Sequence, residues 1–143
     1  MNVTQVLKLK GSAAVETIAP EATVAEAAAH LSQHRFGALV VSRDGESVAG
    51  ILSERDIVRG IGQEGAAVLE RPIATLMTAR VETCAPGEDI DRVLSRMTAG
   101  RFRHMPVVRD GCMVGLLSIG DVVKARIFEI EEENEQMQAM LHG

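Results

Sequence analysis

Apolar residues fall into two spacings along the chain. Ile90, Val93, Leu94 and Met97 recur at intervals of three and four, so they mark one face of a helix from about Asp89 to Thr98. The Ala-rich run Ala25 to Ser32 is a strong helix former. Thr23 with Glu26 three residues on forms its capping box. Two short continuous apolar runs, Ala38-Leu39-Val40-Val41 and Met105-Pro106-Val107-Val108, predict buried strands. Each run is followed by an Asp-Gly turn, Asp44-Gly45 or Asp110-Gly111, and a second strand, Val48 to Leu52 or Met113 to Leu117. A last helix follows Ser53 or Ser118. Short helices open the halves at Thr4 to Lys10 and at Ile73 to Thr78. The predicted order is β-α-β-β-α, twice, an α/β chain of the α+β type, with Gly60 to Gly65 as a surface linker.

The two halves are copies. Val15-Glu16-Thr17-Ile18-Ala19-Pro20 recurs as Val81-Glu82-Thr83-Cys84-Ala85-Pro86, and Arg35-Phe36 as Arg101-Phe102. Arg43-Asp44-Gly45 recurs as Arg109-Asp110-Gly111. Gly50-Ile51-Leu52-Ser53-Glu54-Arg55-Asp56 recurs as Gly115-Leu116-Leu117-Ser118-Ile119-Gly120-Asp121. The opening segments match loosely, Val3-x-x-Val6-Leu7 against Ile73-x-x-Leu76-Met77. A period of this length exceeds the common solenoid repeats and indicates a duplicated small domain. The expected division is 1–62, with the N-terminal helix, then 63–126, then an acidic helix or tail over 127–143. Units so small bury little surface alone, so the halves are expected to share a core.

Charge and composition narrow the partners. The net charge is −5, yet every Lys and Arg precedes residue 127, and the acids before that point balance them. The tail, with Glu129, Glu131, Glu132, Glu133 and Glu135, carries the excess. A neutral body with an acidic tail argues against nucleic acid as a partner, and the lack of Trp and Tyr removes stacking platforms for single strands. No apolar run has the length of a membrane span, and no signal peptide is visible. Cys84 and Cys112 lack metal-ligand spacing, so two reduced thiols and a cytoplasmic location are expected.

The sharpest local feature is Gly-apolar-Leu-Ser-x-x-Asp, at a strand-to-helix junction in both halves. Its plain reading is capping: Ser53 and Ser118 as N-caps, Asp56 and Asp121 as carboxylates favoured by the helix dipole. Taken alone, the motif favours that reading. The same geometry suits a nucleotide, because a helix N-terminus offers N–H groups to phosphate and an Asp one turn in can accept from a ribose diol.

The doubled motif brings a resemblance. The chain resembles a tandem pair of cystathionine-β-synthase-type (CBS) domains over about residues 3–127. The resemblance is carried by Ile18-x-Pro20-x-x-Thr23-Val24-x-Glu26-Ala27, Gly37-Ala38-Leu39-Val40-Val41, Asp44-Gly45 and Gly50 to Asp56. In the second half it is carried by Arg103-His104-Met105-Pro106-Val107-Val108, Asp110-Gly111 and Gly115 to Asp121. It implies two units related by a pseudo-two-fold axis, with clefts that bind AMP, ADP, ATP, NAD(H) or S-adenosylmethionine, AMP foremost. It implies that Asp56 and Asp121 accept from ribose and that Ser53 and Ser118 donate to phosphate. Thr17, Thr83 and Met105 line adenine, as do backbone groups around Ala38 and Pro106. Arg103 and His104 replace Gly37 and Ala38 beside the phosphate in the second half, whereas the first half offers Arg55 where the second has Gly120. The implied function is a regulatory, signal-transducing sensor, not an enzyme, with no catalytic residue and no catalytic cofactor. A homodimer is implied, and an effector protein of unknown identity. The alternative is a structural or interaction module without a nucleotide.

Other candidates have plainer readings. His30 and His34 stand four apart on one helix but have no evident third ligand, so no metal is expected. There is no Gly-x-Ser-x-Gly elbow and no phosphate loop. Cys84, Cys112, Met97, Met105 and Met113 are expected to pack. In the tail, Ile127, Ile130, Asn134, Met137 and Leu141 form an a/d stripe, too short for a stable coiled coil alone.

Overall fold

The computed structural model describes residues 1–11, 15–34 and 36–142; Arg35 of the repeat lies outside them. In chain order the elements are α1 (Val3–Lys10), β1 (Thr17–Ile18), α2 (Val24–His34), β2 (Ala38–Val41), β3 (Gly50–Ser53) and α3 (Glu54–Glu64). Two 3-10 turns follow, Ala66–Glu70 and Ile73–Thr75, then α4 (Ile90–Gly100), β4 (His104–Arg109), β5 (Cys112–Ser118) and α5 (Ile119–His142).

The chain divides into two compact units that do not follow the repeat boundaries. One joins Met1–Ala13 to Thr83–Arg109 and Val114–Gly143; the other joins Ala14–Glu82 to Asp110–Met113. The N-terminal helix, expected with the first repeat, therefore belongs to the unit of the second.

In the first-repeat unit, β1 runs parallel to β2 with Thr17 opposite Val40, and β2 pairs antiparallel with β3 with Ala38 opposite Ser53. All four residues of β2 are buried, as its unbroken apolar run requires. The predicted capping box of α2 forms: Glu26 N–H donates to Thr23 Oγ1 and Thr23 N–H to Glu26 Oε2, both at 3.1 Å. The helix buries Val24, Ala27 and Leu31 at helical spacing. In the second-repeat unit, β4 and β5 pair, and Cys84 makes a parallel bridge to Val107 where the first repeat has β1. Asp89 caps α4, which buries Ile90, Val93 and Met97.

The opening segments explain the interleaving. In the second-repeat unit, Val3 N–H donates to Glu88 O at 3.0 Å, Thr4 N–H to Pro86 O at 3.0 Å, and Ile90 N–H to Met1 O at 3.1 Å. In the first-repeat unit, Ile73 N–H donates to Ala22 O at 2.8 Å, Ala74 N–H to Pro20 O at 3.1 Å, and Val24 N–H to Arg71 O at 2.9 Å. These are the same three bonds at repeat-equivalent positions. Each repeat is thus completed by the segment that precedes the other copy. Val3 and Val6 lie in the second-repeat core, and Ile73 lies in the first-repeat core. Each unit has its own core cluster; the swapped segment adds the apolar side chains that a bare repeat lacks.

Three further expectations change. Gly60 to Gly65 is not a linker: α3 runs to Glu64, and Gly60 is buried against Leu76, whose Cδ1 would lie 3.1 Å from a Cβ there. The segment Ile73 to Thr78 holds only a single 3-10 turn. The tail is no separate element, because α5 continues without a break from Ile119 to His142. Its a/d stripe is exposed, Ile127 to 52% and Leu141 to 77%.

Candidate functional site

Both Ser-x-x-Asp motifs form complete capping boxes. Ser53 is extended (φ −106°, ψ 163°), as an N-cap must be, and its Oγ accepts from Asp56 N–H at 3.2 Å. Asp56 Oδ2 accepts from Ser53 N–H at 2.9 Å and from the Ser53 hydroxyl at 3.0 Å. In the other unit, Ser118 Oγ accepts from Asp121 N–H at 3.1 Å, and Asp121 Oδ2 accepts from Ser118 N–H at 2.9 Å. The residue before each sheet anchors the next amide: Glu54 N–H donates to Gly37 O at 3.1 Å, and Ile119 N–H to Arg103 O at 2.8 Å. The plain capping reading is therefore realised twice. Among the described residues every hydrogen bond to these carboxylates falls on Oδ2, and Oδ1 of each makes none.

The second-repeat unit concentrates charge around its motif. Lys10, the last residue of α1, donates from Nζ to Asp121 Oδ2 at 2.9 Å and to Leu116 O at 2.9 Å. Burial alone would raise the Asp121 pKa; the Ser118 N–H, the Lys10 ammonium and the Ser118 hydroxyl outweigh it, and the carboxyl is held below its ordinary value. His104 is half-buried. Burial lowers its pKa most, Lys10 and Arg103 lower it further, and Asp121 opposes them. Lys10 thus pairs with the Asp121 carboxylate at the start of α5, and His104 feels both of them together with Arg103. Sequence reasoning missed Lys10, whose only signal was its place in the last turn of an opening helix. Its repeat counterpart, Arg80, is exposed and makes no ion pair among the described residues. Asp56 consequently has the cap without the cation.

The remaining expected residues divide between the units. Thr17 lies half-buried on β1, Ala38 is buried opposite Ser53, and Arg55 is exposed one residue before Asp56. In the other unit, Met105 is fully buried in the core, so its side chain packs rather than lining an open surface. Pro106 O is engaged by Cys84 N–H at 3.0 Å. Thr83 is half-buried, and its carbonyl accepts from Arg96 Nη2 at 2.9 Å, a second partner the sequence did not signal. A separate cleft of about 400 Å³, lined by Thr4, Leu7, Lys8, Gly11, Pro86, Arg109 and Val114, contains none of these residues.

The cysteines and histidines part from expectation. Cys84 packs in the core as expected, and burial pushes its thiol up to about 12, with Glu88 adding and Arg96 opposing. Cys112 is exposed rather than packed. Glu16 lies beside His30 and His34, with one donor-type atom of each within 4.8 Å of the others, a proximity the sequence did not signal.

The CBS domain family matches residues 12–63 and 73–127. The chain belongs to the CBS domain family, as a tandem pair. It is 36% identical to the mitochondrial CBS domain-containing protein CBSX3 of Arabidopsis thaliana, over 99% of this chain and 72% of that one. Among solved structures, the CBS-domain protein ATU1752 of Agrobacterium tumefaciens superposes with a TM-score of 0.84 at 40% identity, covering 88% of this chain and 99% of the other. PAE2072 of Pyrobaculum aerophilum, solved with AMP, superposes at 0.74 with 28% identity over 85% and 89%. The CBS pair of MJ0100, solved with 5-methylthioadenosine and S-adenosyl-L-methionine, superposes at 0.77 with 25% identity over 92% and 98%. No helix among the described residues is long and apolar enough to cross a membrane.

Proposed function

We propose that this CBS pair is a regulatory sensor that reversibly binds an adenosine compound, AMP foremost, with ADP, ATP, NAD(H) and S-adenosylmethionine as the competing ligands. The observation that carries the reading is the pair of Ser-x-x-Asp junctions, each with an aspartate Oδ1 unused by the cap. A carboxylate oxygen so placed can accept from a ribose diol, and the helix N-terminus beside it favours phosphate. Lys10, Arg103 and His104 add donors around Asp121. The AMP and S-adenosylmethionine complexes of the related proteins support the same ligand class. Binding acts by population shift, so the ligand must prefer one arrangement of the module. A homodimer in the cytoplasm that signals to an effector protein completes the proposal, and no residue is assigned a catalytic role.

A second reading has an observation of its own. The capping boxes are complete without any ligand, so both motifs also serve a purely structural or protein-interaction module. Thermal unfolding with millimolar AMP, ADP, ATP, NADH or S-adenosylmethionine separates the two. A ligand at 100 times its dissociation constant adds about 2.7 kcal/mol, enough to raise the midpoint by several degrees. A rise with one of these compounds supports the sensor; no rise with any of them favours the interaction module.

A further inference from the structure

We propose that Glu16, His30 and His34 form a binding site for a divalent transition-metal ion of the zinc class. His30 and His34 stand one turn apart at the C-terminal end of α2, so their side chains share a helix face. Their ring centroids lie 5.7 Å apart. Glu16, immediately before β1, completes the group: one donor atom from each of the three lies within 4.8 Å of the others. Zinc binds imidazole nitrogen and carboxylate oxygen at about 2.0–2.2 Å. The three donors must close from that spacing by side-chain rotation to meet on one ion.

One observation beyond proximity points to a ligand. Nδ1 of His30 is buried and has no hydrogen-bond partner among the described residues. A buried polar atom without a partner is costly; a coordinated ion is a partner that the protein itself does not supply. The His34 ring stacks on Phe36, with centroids 5.6 Å apart and planes 15° from parallel, which limits its rotation. Two imidazoles and one carboxylate make the donor set of an open zinc site, with the fourth position left to water. Cobalt, nickel and copper compete for such donors, whereas magnesium and calcium prefer oxygen alone. The bound ion ties the segment ahead of β1 to the end of α2. None of its ligands belongs to either Ser-x-x-Asp junction, although Glu16 adjoins Thr17 of the nucleotide reading.

The test is titration of the full chain with zinc chloride by calorimetry, and with cobalt chloride by visible absorption. One ion per chain and the intense visible bands of low-coordinate cobalt are expected. His34→Ala, at an exposed position, abolishes both signals. Glu16→Gln weakens binding at least as much as loss of an outer-shell partner does, about 10–100-fold. Cys112→Ser leaves binding unchanged. Circular dichroism checks that each variant keeps the wild-type fold. Absence of saturable binding overturns the proposal. So does an affinity that survives both Glu16→Gln and His34→Ala, since the ion then sits elsewhere.

Discussion

Lys10 Nζ lies 2.9 Å from Asp121 Oδ2, although 111 residues separate the two in sequence. The contact exists because α1 folds onto the second repeat. It gives one of two otherwise equivalent aspartates a cation that the other lacks. The two motifs are therefore alike as caps and unlike as electrostatic sites.

That pair has a pH signature. The folded-state pKa of Asp121 is depressed, so its contribution to stability is present above the unfolded carboxyl value, about 3.9, and is lost as pH falls through the lower folded value. Lys10→Met removes part of the depression. The variant should be less stable than wild type at pH 7, and the gap should close as pH falls below about 4. Urea unfolding at pH 7, 5 and 3.5 measures it. A gap that does not change with pH would mean that Lys10 acts through packing, not charge. The exposed pair is worth at most about 1 kcal/mol.

Single substitutions assign the ligand to one site or both. Asp56→Ala and Asp121→Ala each lose a capping-box partner, at about 0.3–1 kcal/mol from the helix N-terminus. Beyond that common loss, the Asp121 variant should forfeit more of the AMP-induced rise in unfolding midpoint. In the proposed reading, Lys10 beside Asp121, with His104 and Arg103 near it, gives that site the cationic groups to meet a phosphate. Equal loss from both variants would show two equivalent sites. Retention of the full rise in both would remove the motif aspartates from ligand binding.

Much of the architecture is legible in the sequence because each repeat reports on the other. The strand Ala38–Val41 is read residue for residue, since a short, partly β-branched apolar run followed by an Asp-Gly turn fits a strand buried on both faces. The caps at Thr23, Ser53 and Ser118 are local chemistry and are equally readable. What local pattern does not carry is which copy a segment packs against. Val3 and Ile73 look like parts of the repeats they precede, yet each completes the other core. The Lys10 contact, the Arg96 contact to Thr83 and the position of Glu16 beside two histidines all depend on such long-range placement. The continuity of α5 is hidden because the charge changes sign after Arg126, which in sequence looks like a boundary although the backbone runs on as one helix.

The two thiols should differ sharply in reactivity. Thiolate is the reacting species. The Cys84 thiol is buried and pushed up to about 12, whereas Cys112 is exposed. A disulfide-exchange reagent at pH 8 should modify one thiol per chain promptly and the second only on addition of denaturant. Cys112→Ser should remove the prompt phase. Prompt modification of two thiols would show that the second-repeat core opens readily around Cys84.

The equivalent glycines of the two repeats offer the most discriminating packing test. Gly50 and Gly115 occupy the same place before each motif, and each faces the swapped opening segment. A Cβ at Gly50 would lie 2.5 Å from Met77 Sδ and 2.9 Å from the Thr78 carbonyl oxygen. Thr78 is fixed there by two backbone bonds to Ile51, at 2.9 and 3.0 Å, so the clash cannot be relieved by a side-chain rotation. A Cβ at Gly115 would meet only the end of Leu7, at 2.8 Å, and that side chain can turn away. Gly50→Ala should therefore cost about 1–3 kcal/mol, in the range of overpacked cores, and Gly115→Ala distinctly less. Unfolding midpoints of the two variants decide it. If both cost the same, the Thr78 backbone yields as easily as a leucine side chain, and the opening segment before the second repeat is held more loosely than its hydrogen bonds imply.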